Sequence, residues 1–267
     1  MMFRPAAALI AALVCCATPS TFAAVQPSAR VLFIGNSLTA ANNLPAMIEA
    51  VAAQAGLKGR ITCRAIAIPN FGLQEHWDQG EALRAMKNGT RWTHVVLQQG
   101  PTSMPDSRLI LREFAKKFAF EAKASGASVL IYSPWTPRNR LDFMDAVLES
   151  HRLAAEDVKG ILVPIGEGWR AAWRADPSLA LYGPDDFHPS PAGSYLAALM
   201  FVEKLSGRSP VGLPNPSESK DKALRGVSLD AAQLRIVQTA AAEANGRVRA
   251  ALELREGDSP SPEPGHR

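Results

Sequence analysis

The feature that most limits what this chain can fold into is a recurring unit: a short, uninterrupted apolar run followed by a longer stretch with helical period. Val31-Leu32-Phe33-Ile34, His94-Val95-Val96-Leu97, Val129-Leu130-Ile131-Tyr132 and Ile161-Leu162-Val163-Pro164-Ile165 are such runs, and residues 60–68 read as a further strand. A strand with one face in water would alternate apolar with polar residues, whereas continuous apolar runs belong to strands buried on both faces. Between them, residues 44–55 carry apolar side chains at Leu44, Met47, Ile48 and Val51, a helical spacing, and residues 73–87, 109–124 and 141–158 read as helices too. Strands covered on both sides and separated by helices predict a parallel sheet inside an α/β domain.

Two more helices are expected near the end of the chain. One covers residues 191–205, with Ser190 as its cap and Pro191 at its first position, and the other runs from about 230 to 252. Residues 207–228 read as a surface connection, and residues 256–267, with nothing to bury, as a disordered tail. No internal repeat is visible. One domain over residues 24–255 therefore accounts for the organisation.

Composition supports this and excludes some functions. Of 267 residues, 47% are hydrophobic and 20% charged, too apolar for a disordered chain and ample for one core. The net charge of +4 is spread out, with no basic run longer than Lys116-Lys117, so nucleic acid is not an expected partner. Residues 1–23 read as a cleaved signal peptide: Arg4, then the apolar run 6–17, then Thr21-Phe22-Ala23 with small residues for cleavage. That run is shorter than the roughly 20 residues a membrane span needs, so a secreted or periplasmic protein without stable membrane insertion is expected. Cleavage leaves Cys63 as the sole cysteine and excludes an intramolecular disulfide.

Strand ends in an open parallel sheet converge on one crevice, and two segments there carry chemistry. Gly35-Asn36-Ser37-Leu38-Thr39 follows the first strand. A glycine permits a tight turn, and Ser37 would stand near the next helix N-terminus, where free N–H groups can stabilise an anion. Taken alone, such a serine is most often just a helix cap. The second segment is Asp185-Asp186-Phe187-His188-Pro189-Ser190. An Asp three residues before a His can accept from the ring's Nδ1–H and leave Nε2 free to take a serine proton, although Asp-Asp here could also be a plain turn.

With these two segments in this order, the chain resembles the SGNH, or GDSL-like, serine hydrolases, with Asn36 where the family name has Asp. The resemblance spans nearly the whole domain. It implies a flavodoxin-like three-layer α/β/α sandwich with a five-stranded parallel sheet. It also implies Ser37 as nucleophile, His188 as general base and Asp185 as the carboxylate that orients it. The oxyanion hole would be formed by the Ser37 and Gly72 backbone N–H groups and a side-chain amide after the third strand. The family's usual Asn is missing there; Leu97-Gln98-Gln99-Gly100-Pro101 stands instead, similar to carbohydrate O-acetylesterase branches that use Gln. Gln98, at the strand end proper, is the expected donor, and Gln99, one residue on and facing the other way, is the alternative.

The expected activity is therefore that of an exported esterase removing acetyl or other short acyl groups, with a carbohydrate or other small ester as substrate and no cofactor. An acyltransferase using the same triad and a non-catalytic glycan-binding protein are the rivals; sequence carries no sign of oligomeric state. His76, His94 and His151 lack metal-ligand spacing. Trp135, after the fourth strand, is a candidate to line the substrate cleft. Gly166-Glu167-Gly168-Trp169-Arg170-Ala171 matches a dinucleotide fingerprint by chance, because no strand follows to complete the unit.

Overall fold

The computed structural model describes residues 28–257, with side chains described to residue 247. The expected signal peptide and residues 258–267 of the expected tail lie outside the described residues. The five strands are β1 (Ala29–Gly35), β2 (Ile61–Ala67), β3 (His94–Gln98), β4 (Ser128–Ser133) and β5 (Ile161–Pro164). They form one parallel sheet in the order β2-β1-β3-β4-β5. The flavodoxin-like sandwich is the observed fold.

The uninterrupted apolar strands are explained by two cores, one on each face. Val31, Phe33, Val96, Leu130, Tyr132 and Val163 point to one side. There they meet α2 (Leu44–Gln54), α7 (Ile165–Ala175), α8 (Pro191–Ser206) and α9 (Ala231–Gly257). Leu32, Ile34, Val95, Leu97, Val129 and Ile131 point to the other. Their partners are α3 (Leu73–Gln79), α4 (Glu81–Lys87), α5 (Pro105–Ala124) and the later part of α6 (Met144–Asp157). A fully buried side chain of this size contributes roughly 1.5–3 kcal/mol, so neither face can be left bare. The edge strand β2 keeps Thr62 and Arg64 exposed, which blunts it against pairing with another chain.

Three local expectations change. The helix expected over 73–87 breaks at Gly80, whose φ of 77° ends α3 and starts α4. The stretch expected as a helix over 141–158 enters through a 3-10 segment, Arg138–Phe143, before α6 begins. Ile165 is not the end of β5 but the first residue of α7, a helix the sequence pattern did not reveal. The dinucleotide-like glycines lie inside it. A Cβ on Gly168 would stand 2.6 Å from Met200 Sδ and 2.7 Å from Leu196, so the glycine permits close packing of α7 on α8. Among the described residues no helix is long and apolar enough to cross a membrane.

The strand order fixes where a site can form. The chain leaves β1 toward one sheet edge and β3 toward the other, so their C-terminal ends face a crevice that no connection fills. Gly35 and Gln98 end these two neighbouring strands.

Candidate active site

The crevice is a cleft of about 390 Å³ bordered by Ser37, Phe71, Gly72, Glu75, Gln99 and Phe187, among others. Ser37 opens α1 (Ser37–Ala40), the short helix after β1. Asn36 caps it, its Oδ1 accepting from Leu38 N–H at 3.1 Å. The same amide donates from Nδ2 to Phe71 O at 3.0 Å, tying the Ser37 turn to the loop that carries Gly72. An Asp at this position could make only the first of these bonds, because an ionised carboxylate only accepts. The exchange of Asp for Asn thus gains a tether.

Beneath the turn the backbone is tightly held. Asn36 N–H and Thr39 Oγ1–H both donate to Gln98 Oε1, at 2.8 and 2.9 Å. Gln98 is fully buried, and a Cβ on Gly35 would lie 2.5 Å from that oxygen, so only glycine fits at the strand end. On the other side of the strand, Gly35 O accepts from Ile68 N–H at 3.0 Å and from the His76 ring at Nε2, 2.7 Å away. A carbonyl partner requires the proton on Nε2. Burial lowers the His76 pKa, which keeps the ring neutral.

Gln98 is therefore not at the cleft, contrary to expectation, and the reason is the pleat. Gln98 shares its strand face with Val96 and goes under the β1 turn, whereas Gln99 faces the other way. Gln99 borders the cleft beside Gly72; its Oε1 accepts from Leu73 N–H at 3.2 Å and its Nε2 donates to Thr102 Oγ1 at 3.1 Å. A Cβ on Gly72 would lie 3.1 Å from Gln99 Oε1.

The histidine loop forms a self-contained unit. Asp185 Oδ2 accepts from His188 Nδ1 at 2.5 Å, while Oδ1 accepts from Phe187 N–H and His188 N–H at 3.1 and 2.9 Å. These donors, the imidazole first, pull the Asp185 pKa down to about 2. Asp186 points elsewhere: with φ 54° it turns its carboxylate to Arg138 Nε, 2.6 Å away. Among the described residues, no hydrogen bond joins Ser37 Oγ to His188, an arrangement common before a substrate draws such groups together.

Three contacts position this loop that sequence reasoning missed. Trp135 is fully buried, stacked on Trp169 with centroids 3.9 Å apart, and so does not line the cleft as expected. Its Nε1–H instead donates to Phe187 O at 2.8 Å. Asn42, at φ 52°, donates from Nδ2 to Pro189 O and Ser194 Oγ, both at 2.9 Å. Gly183 N–H donates to His188 O at 2.7 Å, and Tyr182 pairs with Pro189 in an antiparallel bridge. Glu75 at the cleft was also missed; its place three residues after Gly72 is the spacing of a capping box and was the available signal.

No family model matches the chain, and no curated protein matches it. Solved structures do. A candidate SGNH hydrolase from Slackia heliotrinireducens is 29% identical with a TM-score of 0.58, covering 67% of this chain and 100% of its own. A DUF4886 family protein from Bacteroides uniformis is 17% identical with a TM-score of 0.64, covering 81% and 94%. A catalytic mutant of an acetylxylan esterase from Geobacillus stearothermophilus shares the fold at 15% identity and a TM-score of 0.51, covering 68% and 95%. The 29% match over a whole hydrolase domain, on a fold that sets the Ser37 and Gly72 segments at one cleft with Asp185-x-x-His188 beside it, makes the chain similar to an SGNH hydrolase and supports a hydrolase acting on ester bonds.

Proposed function

We propose that the protein is an exported serine esterase that removes acetyl or another short acyl group from a carbohydrate, using Ser37, His188 and Asp185. The observation that carries this is the Asp185–His188 pair, held at 2.5 Å in a loop whose Phe187 borders the same cleft as Ser37 and Gly72. Ser37 Oγ adds to the ester carbonyl carbon as its proton passes to His188 Nε2. The resulting oxyanion is met by the Ser37 and Gly72 N–H groups and by the Gln99 amide, which we assign in place of Gln98 because Gln98 is buried beneath the turn while Gln99 borders the cleft, where its Nε2 has a second N–H to give beside the one held by Thr102. Collapse expels the alcohol, which takes the proton from His188. Water then attacks the acyl-enzyme with the same imidazole as base, releasing the acid and restoring Ser37.

The lining supports a polyhydroxylated substrate. Asn70, Gln74 and Gln99 offer amides, and Phe71 and Phe187 offer ring faces, a mixture suited to sugar hydroxyls and the apolar face of a ring. An acetylxylan esterase among the solved structures of this fold is consistent with that class. Export rests on the sequence of residues 1–23.

The test is turnover of an acetylated sugar by purified, folded variants. Ser37→Ala and His188→Ala should each lose about 10³–10⁶-fold in kcat, and the double variant should be hardly worse, because both serve one proton transfer. Wild-type turnover in folded Ser37→Ala would reject the proposal.

A further inference from the structure

The Gly72 N–H already has a partner. It donates to Glu75 Oε2 at 2.8 Å, and a Cβ on Gly72 would lie 3.1 Å from that oxygen as well as from Gln99 Oε1. Glu75 is exposed and borders the cleft, and the other cleft residues carry no charge. In local terms the bond is half of a helix capping box, in which the third residue of the helix reaches back to the cap's N–H. Here that N–H is the oxyanion donor.

A backbone amide has one hydrogen, so it cannot serve the carboxylate and an ester oxygen with full strength at once. A carboxylate beside the hole also opposes the negative charge that forms there. Glu75 must therefore turn away before the tetrahedral intermediate forms, and it turns away more readily if the substrate offers it a donor in exchange. A sugar has hydroxyl groups beside the acylated oxygen. A simple aryl ester has none.

We propose that Glu75 is a specificity-determining residue: a carboxylate latch on the Gly72 donor that hydroxyl-bearing alcohols release and alcohols without neighbouring hydroxyls do not. This rests on the reading of Gly72 N–H as an oxyanion donor. Charge-assisted hydrogen bonds are strong enough for the latch to alter the preference tenfold or more, on the order of what one such bond contributes.

The experiment compares kcat/KM for p-nitrophenyl acetate and for a mono-O-acetyl methyl glycoside in the wild type, Glu75→Ala and Glu75→Gln. Glu75→Ala should raise the aryl ester about tenfold and leave the glycoside ester unchanged or lower, so that the preference for the sugar falls by about tenfold or more. Glu75→Gln keeps an acceptor for the cap without the charge, and should shift the preference in the same direction by less; it decides the matter if the alanine variant does not fold. An unchanged ratio, with Ser37→Ala inactive on both esters, overturns the latch alone. Turnover of either ester by folded Ser37→Ala overturns the reading of the site beneath it.

Discussion

Gln98 and Gln99 are the same amide at adjacent positions, and the pleat gives them different work. Gln98 Oε1 is the shared acceptor for Asn36 N–H and Thr39 Oγ1–H inside the Ser37 turn. Removing it leaves two buried donors unpaired, so Gln98→Ala should destabilise the fold by about 1–3 kcal/mol for each group left without an acceptor, read as a lower urea midpoint. Gln99→Ala removes an amide at the cleft and should lower kcat by roughly 10²–10³ with little change in KM; it leaves one donor, Leu73 N–H, without its acceptor, so its loss of stability should be about half that of Gln98→Ala. If the two phenotypes are exchanged, the donor role returns to Gln98. The sequence contained the distinction, since residues 98 and 99 of one strand must face opposite ways. It did not contain the choice, which depends on the side on which the Gly72 loop lies. Asn36 is a similar case: its place in the Gly35-Asn36-Ser37 turn was legible, but its bond to Phe71 O, 35 residues on, was not.

At the scale of elements, legibility follows contiguity. The β1 turn and the Asp185–His188 pair each close within a few residues, so their local geometry could be read from sequence. What holds the pair near Ser37 is assembled from distant segments, through Trp135 to Phe187 and Asn42 to Pro189, and no local pattern announces such contacts. Helix α7 was missed for a different reason. It starts at Ile165 directly from β5, with no polar loop between them and two glycines in its first turn, so one apolar run spans the strand end and the helix start. The Asn42 contact makes a clear test of positioning. Asn42→Gly preserves the left-handed backbone at φ 52° while deleting both side-chain bonds. We expect kcat to fall about tenfold, as for a modest misplacement of a catalytic base. The thermal midpoint should move by only a few degrees, since bonds of this kind typically contribute about 0.5–1.5 kcal/mol each. Wild-type kcat in Asn42→Gly would show that the loop is held by its other anchors.

The whole molecule carries its histidines in a way that ties stability to pH. His76 and His151 are fully buried, one against Gly35 O and the other against Val147 O, and burial is the main cause that lowers both pKa values, to about 4 for His151. His94, half-buried at the start of β3, is lowered by the same cause. A histidine in the unfolded chain titrates near 6.5, so between that value and the lowered native one the unfolded state binds more protons. Stability therefore rises with pH in this window and is lost on acidification from about 6.5 toward 4, at up to about 1.4 kcal/mol per pH unit for each histidine that stays neutral in the fold. Asp185 adds its own loss only at lower pH, as the solution falls from the ordinary carboxylate value toward about 2, and its exposure to water keeps that contribution small. Urea midpoints measured at half-unit steps from pH 7.5 to 4.5 should fall steadily below 6.5. His151→Gln, which keeps a donor for Val147 O and cannot titrate, should flatten the slope whatever it does to the midpoint at pH 7.5. For His76 the added proton would go to Nδ1, which is buried without a partner, while the Nε2–H bond to Gly35 O stays in place. A midpoint that stays level between pH 7 and 5 would mean that these rings are not held neutral.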